Sequence, residues 1–276
     1  MNALKGKKVL IIGATGTLGS EFVEQLLLCT DVESIRAYAR HEESMFWLRE
    51  KYGEDRMRYL IGDIRDKERL SKAYDGVDVV INCAAMKHVR ICEENPFETV
   101  KTNVGGVQNA IECAIEHDID LYIQISTDKA VNPRNVYGAS KLMAENLTLD
   151  AMNYQGNSKT KFVVIRSGNI MGSSGSCLQI WDKQHKDGLP LTITDFNATR
   201  YMASRESIVS SIINKIISHE LNNGLYVLNM PKYSVRQLVD RYINANFKLI
   251  GLQEGEKLEE ELFKENEKYT LIDVEE

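Results

Sequence analysis

Six short apolar runs punctuate the first part of the chain: VLIIG at 9–13, IRAYA at 35–39, MRYLIG at 57–62, DVVINC at 78–83, LYIQIS at 121–126 and FVVIRS at 162–167. Runs apolar at nearly every position suit strands covered on both faces, hence a parallel sheet with helices on each side. The intervening stretches have helical spacing. Phe22, Leu26 and Leu27 share an inner face after the first run, and Pro96 opens a helix whose Val100, Val104, Val107, Ile111 and Ala114 should pack on the sheet. This β-α-β-α order predicts an α/β fold of the doubly wound Rossmann type, with ligands at the carboxyl ends of its strands.

After about residue 170 the alternation becomes irregular: GSSGS, LPLTITD, a helix near 205–220, LYVLNM, a helix near 234–244 and a charged tail that reads as solvated. We expect residues 1–170, with a contribution from about 200–228, to form the Rossmann domain. Residues 171–199 and 229–276 should form a smaller C-terminal substrate-binding lobe.

Composition narrows the partners. The chain has 276 residues, 43% hydrophobic and 27% charged, enough to bury a sizeable core, and its net charge of -6 disfavours nucleic acid or an anionic membrane. Five cysteines (Cys29, Cys83, Cys92, Cys113, Cys177) without a C-x-x-C pair predict buried thiols, and neither a disulfide framework nor a metal site. No apolar run spans a bilayer and the start enters a strand pattern at once, so a cytoplasmic protein is expected.

The first run leads into GATGTLG, with Gly13, Gly16 and Gly19 at spacings of three before a helix. Glycines there let the backbone approach a pyrophosphate, whose charge the helix N-terminus attracts. At the end of the second run Arg40 stands where an acid would serve ribose hydroxyls, which favours NADP over NAD. Asp63, followed by Ile64, is placed to accept from an adenine amine or to cap a turn, and small Ala84 and Ala85 leave room for a cofactor.

The densest chemistry is STDKAVNPRNVYGASK at 126–141. Thr127, Asp128 and Lys129 emerge at the carboxyl edge of the sheet, and Tyr137 and Lys141 lie one turn apart on the next helix. A nearby ammonium lowers a phenol's pKa, making Tyr137 a base for an alcohol proton.

GATGTLG, the Tyr137 and Lys141 pair and KTNVGGVQN resemble the extended short-chain dehydrogenase/reductases. AAMKHVRICEENPFETVKTNVGGVQN, the 126–141 segment, RSGNIMGSSGS, LPLTITDFNATRY and GEKLEEEL resemble, more specifically, the soluble, C5-inverting UDP-N-acetylglucosamine 4,6-dehydratases. The resemblance implies Thr127, Asp128, Lys129, Tyr137 and Lys141 as catalytic residues. It implies Gly13, Thr15, Gly16, Thr17, Leu18, Gly19, Arg40, Asp63, Ile64, Ala84, Ala85, Lys87 and Asn103, with Tyr137 and Lys141, around NADP. Lys87, His88, Asn169, Ser176, Arg200 and Glu256 would contact a UDP-linked sugar, and the protein would form dimers or larger homo-oligomers through helices near 97–117 and 135–153. The implied reaction oxidises C4 transiently, with Tyr137 and Thr127 on the hydroxyl, neutral Lys129 removing the C5 proton and protonated Asp128 assisting loss of the C6 hydroxyl.

The chain departs from that pattern at Gln253, Glu259, the CLQIW run at 177–181 and Ile12. These departures keep open a different nucleotide sugar, an NADPH-dependent 4-keto reductase, a 4-epimerase or a divergent dehydratase. Because fold does not fix chemistry, a non-catalytic NADP(H)-binding regulator is the alternative of another class, and the Tyr137 and Lys141 pair argues against it.

Overall fold

The computed structural model describes residues 2–252 and 254–274, so Gln253 lies outside the described residues. The six apolar runs are six parallel strands: β1 (Lys8–Ile12), β2 (Ser34–Ala39), β3 (Met57–Ile61), β4 (Val79–Asn82), β5 (Leu121–Thr127) and β6 (Lys161–Ser167). β5 and β6 are buried along almost their whole length, as expected for strands covered on both faces.

The helices follow in alternation: α1 (Thr17–Cys29), α2 (Glu42–Tyr52), α3 (Lys67–Tyr74), α4 (Val89–Glu94), α5 (Pro96–Val100), α6 (Gly106–Glu116) and α7 (Val136–Leu149). Later elements are β7 (Asn169–Ile170), α8 (Cys177–Lys186), β8 (Leu191–Ile193), β9 (Thr199–Ala203), α9 (Arg205–Ile217), β10 (Gly224–Asn229), β11 (Lys232–Ser234), α10 (Val235–Val239), β12 (Phe247–Leu249) and β13 (Thr270–Asp273).

Among the described residues the central sheet has eight strands in the order β13-β10-β6-β5-β4-β1-β2-β3, all parallel. The order reverses between β1 and β4, which opens a crevice at the carboxyl ends of these strands. One face buries Phe22, Val23 and Leu26 of α1 with Ile208, Ile212 and Ile216 of α9. The other buries Leu70 of α3, Val107 and Ile111 of α6 and Ala144 of α7. A separate core of Leu178, Trp181, Leu191, Ile193, Met202 and Leu238 organises the residues over the strand ends.

Four expectations need correction. The cysteines are not all buried: Cys92 and Cys113 are, Cys83 and Cys177 are partly covered, and Cys29, the last residue of α1, is exposed. The helix opened by Pro96 is not regular: Lys101–Gly105 form a π-helical turn between α5 and α6. The extra residue shifts the inward face, so Val100 is exposed while Thr102 and Asn103 are buried. The helix near 234–244 is only α10, ending at Val239. The tail is not wholly solvated, because β13 adds to the edge of the main sheet beside β10 and buries Ile272.

Candidate active site

Strand β5 ends at Thr127, and the chain closes into a single 3-10 turn, Asp128–Ala130. Thr127 Oγ1 donates to Asp128 Oδ1 at 2.8 Å, and Lys129 Nζ donates to the same oxygen at 3.0 Å. Asp128 is fully buried, and its Oδ2 has no hydrogen-bond partner among the described residues. Lys129 Nζ also donates to Asn169 Oδ1 at 3.1 Å and lies 3.8 Å from Glu260 Oε1. Burial opposes the charge on Lys129, but Asp128 and Glu260 outweigh it and raise the pKa.

Helix α7 starts from Asn135, whose Oδ1 accepts from the Gly138 N–H at 2.7 Å. Gly138 sits directly against the Lys129 carbonyl, where any side chain would collide, so the first turn of α7 is held on the 128–130 turn. That contact brings Tyr137 beside Thr127 and Lys129. Lys141 points under β5 and donates to the Ile125 carbonyl at 2.6 Å.

The acidified phenol expected from Lys141 is not found. Burial pushes Tyr137 up to about 12, and the groups pulling it back are the Lys129 ammonium and a Thr127 hydrogen bond. Burial also brings Lys141 down to about 8, partly countered by Glu145.

These groups border a cavity of about 890 Å³ that runs from Gly16, Thr17 and Leu18 past Lys129, Tyr137 and Lys141 to Trp181, Arg200 and Glu256. Lys87, His88, Thr127, Asn169 and Ser176 also line it. An adjoining cavity of about 160 Å³ is walled by Gly13, Thr15, Ile64 and Ala84, and Arg40 and Ala85 border both. Burial lowers the pKa of Lys87.

The dimensions and backbone fit a dinucleotide. Gly13 has φ +83°, and a β-carbon there would lie 2.8 Å from the Ala84 nitrogen. No side chain caps the amino end of α1, which leaves its first N–H groups to a phosphate. Gly13, Thr15, Gly16, Thr17 and Leu18 would hold the pyrophosphate side of such a group, and Arg40 its adenosine end.

Four expected site residues stand off the cavity walls. Gly19 packs behind the loop, against the Gly13 carbonyl. Asn103 is buried behind the wall: its Oδ1 accepts from the Met86 N–H at 2.8 Å, and its Nδ2 donates to the Met86 carbonyl at 2.9 Å and Ser140 Oγ at 3.0 Å. Asp63 is engaged locally, accepting from Arg65 N at 2.9 Å and Arg65 Nη2 at 2.7 Å. These bonds cap a turn, one of the two roles expected of it. Asp128 lies just beneath the wall and reaches the cavity through Lys129 and Thr127.

Sequence reasoning missed Glu260, Lys257 and Arg134, which also line the cavity. Within GEKLEEEL only Glu256 and Glu259 stood out; the segment has no periodicity that would show Glu260 turning inward. Glu259 faces outward and pairs with Lys232 at 3.2 Å. In the CLQIW run, Trp181 is buried and donates from Nε1 to the Thr192 carbonyl at 2.8 Å.

The family model described as polysaccharide biosynthesis protein matches residues 9–276. The chain is 41% identical over 286 residues to an uncharacterized membrane protein of Methanocaldococcus jannaschii, covering 99% of this chain and 85% of the relative. It is 38% identical over 273 residues to the UDP-N-acetylglucosamine 4,6-dehydratase (inverting) of Campylobacter jejuni, covering 98% and 81%. A UDP-glucose 4-epimerase of Rickettsia canadensis is 32% identical over 265 residues, covering 93% and 77%.

Among solved structures, Pen from Bacillus thuringiensis superposes with a TM-score of 0.88 at 37% identity, over 95% of this chain and 84% of that one. The dTDP-glucose 4,6-dehydratase DesIV from Streptomyces venezuelae, solved with NAD bound, shares the fold with a TM-score of 0.82 at 21% identity, over 93% and 88%. Among the described residues no helix is long and apolar enough to cross a membrane. A family match spanning nearly the whole length, on a fold that gathers its polar residues at one crevice, means that this chain belongs to the polysaccharide biosynthesis protein family.

Proposed function

We propose that the protein is an NADP-dependent nucleotide-sugar 4,6-dehydratase that converts UDP-N-acetylglucosamine to a UDP-4-keto-6-deoxy-N-acetylhexosamine with inversion at C5. The observation that carries this reading is the contact of Asp128 with Lys129, 3.0 Å apart and beside Tyr137 at the wall of one large cavity.

When bound, the nicotinamide supplies hydride chemistry that oxidises C4 at the start and restores electrons at C6 at the end. Tyr137 takes the C4 hydroxyl proton as its phenolate, a form that burial opposes and that the Lys129 ammonium and the Thr127 hydrogen bond favour, and Thr127 steadies the same oxygen. A ketone at C4 acidifies the C5 proton, which Lys129 removes. Asp128 protonates the departing C6 hydroxyl. Both roles need the neutral forms of the pair, and shifting one proton from Lys129 Nζ to Asp128 Oδ1 supplies them together. Loss of water follows, and a solvent-derived proton reaching C5 on the face opposite Lys129 balances the hydride returned to C6 and inverts the centre, with no net oxidation.

Arg200 presents a planar fork suited to a diphosphate, preorganised by its hydrogen bonds from Nη1 to the Thr199 and Leu258 carbonyls at 2.8 and 3.3 Å. Arg40, 47% exposed at the end of β2 and paired only loosely with Asp63 at 3.8 Å, suits the 2′-phosphate of NADP.

Incubating purified protein with UDP-N-acetylglucosamine in deuterated water tests the reading. The expected product has lost one water and carries deuterium at C5. An unchanged substrate across a panel of UDP-sugars overturns the proposal, and net consumption of NADPH assigns a 4-keto reductase instead.

A further inference from the structure

Glu260 is the carboxylate for which the proposed reaction has no use. It comes from a segment with no regular structure, yet it is only 5% exposed, lines the large cavity and brings Oε1 to 3.8 Å from Lys129 Nζ. Its Oε2 is buried and makes no hydrogen bond among the described residues; Lys257 Nζ lies 4.0 Å from it. Lys257 Nζ itself is spent on the Val131 carbonyl. A half-satisfied buried carboxylate is costly and persists where it does something for its neighbours.

We propose that Glu260 is a positioning residue for Lys129, whose charge sets the pH range in which the Asp128–Lys129 pair carries the single shared proton that elimination requires. This deepens the dehydratase reading and rests on it. The pair works with one proton between its two acidic sites; a second proton or none disables it, so activity should follow a bell.

Burial raises the pKa of Glu260 itself and Lys129 draws it back; once ionised, its negative charge 3.8 Å from Lys129 favours proton binding there and lifts both limbs of that bell. The other charged groups facing Glu260 are Asp128, which acts in the same sense, and Arg200 and Lys257, which oppose it. Tyr137 also faces Lys129 from α7. None of these duplicates Glu260, because Asp128 is itself a member of the pair.

The test compares wild type, Glu260→Gln and Glu260→Asp by competitive acetylation of Lys129 across pH, read by peptide mass spectrometry. Lys129 is 22% exposed, so reagent reaches it, and the readout is independent of turnover. In Glu260→Gln the labelling midpoint should fall by about one pH unit or more, and both limbs of the turnover profile should move with it. Glu260→Asp, which keeps the charge, should hold both near wild type.

A Glu260→Gln protein with an unmoved midpoint, or one that loses activity at every pH without a shift, overturns the proposal. If Glu260→Gln does not fold, a displaced midpoint in Glu260→Asp with its charge retained does the same. Failure of wild type to form product while the midpoint still shifts would overturn the dehydratase reading and leave the Glu260 coupling standing.

Discussion

Lys129 Nζ sits 3.0 Å from Asp128 Oδ1, so the ion pair in the structure and the neutral pair that the proposed elimination would use differ by the position of one proton. Removing either partner therefore costs more than one function. Asp128→Asn and Lys129→Met should each lower dehydration by about 10²- to 10⁴-fold. Product formation by mass spectrometry checks this, and Lys129→Met should also abolish deuterium incorporation at C5. Substantial C5 exchange in that variant would remove Lys129 from the role of base.

Arg40 should decide the cofactor. Arg40→Ala is expected to weaken NADP(H) binding by about tenfold or more while leaving NAD(H) nearly unchanged, because only the former offers a 2′-phosphate to the guanidinium. Titration followed by nucleotide fluorescence separates the two, and equal losses would point to a general positioning effect.

Gly13 allows no side chain. At φ +83°, with the Ala84 nitrogen 2.8 Å from where a β-carbon would sit, Gly13→Ala should strain the loop and displace the backbone that faces the cavity. We expect dinucleotide affinity to drop by roughly 100-fold or more, about 3 kcal/mol, measured by calorimetric titration. A conserved affinity would mean that β4 yields more easily than its packing suggests.

Lys141 predicts a pH dependence of stability. Its pKa in the folded protein is about 8, against 10.5 ordinarily, so between those values the unfolded chain holds a proton that the folded one does not. Stability from this group therefore rises as pH climbs from about 8 to 10.5, by roughly 3 kcal/mol, and is at its lowest below pH 8. Urea denaturation of wild type and Lys141→Met across that window should show the stability difference between them moving by that amount in favour of wild type as pH rises, whatever slope the buried cysteines and tyrosines give both proteins.

The fully buried Arg166 holds α7 in place. It donates to Glu145 at 2.9 and 2.6 Å, to Glu267 at 2.7 and 3.0 Å and to the Leu262 carbonyl at 2.9 Å. Arg166→Met strands two carboxylates and should cost about 3–5 kcal/mol by denaturation. A loss below about 1 kcal/mol would show that water reaches them easily.

What was legible in the sequence is what periodicity and local chemistry encode. Runs such as Leu121–Thr127 announced their strands because both faces are covered, and the glycines at 13, 16 and 19 announced a loop that has to come close to a ligand. The rest depends on long-range contacts. Ile272 is the only buried side chain of β13, so four residues in a charged tail carried no pattern. Asp63 is ambiguous in sequence because the same carboxylate serves a turn or a ligand, and its turn contact depends on where Arg65 lies. Lys141 was read as the charge that acts on Tyr137, whereas the fold sends its ammonium to the Ile125 carbonyl.

The widened turn at Lys101–Gly105 divides one long rod into two independent halves. A single added residue rotates everything beyond it by about 100°. The leading half is therefore free to carry Phe97 and Val100 outward, while the trailing half keeps Val107 and Ile111 sealed on the sheet. Asn103, at the joint between them, ties both halves to the Met86 loop through its side-chain amide.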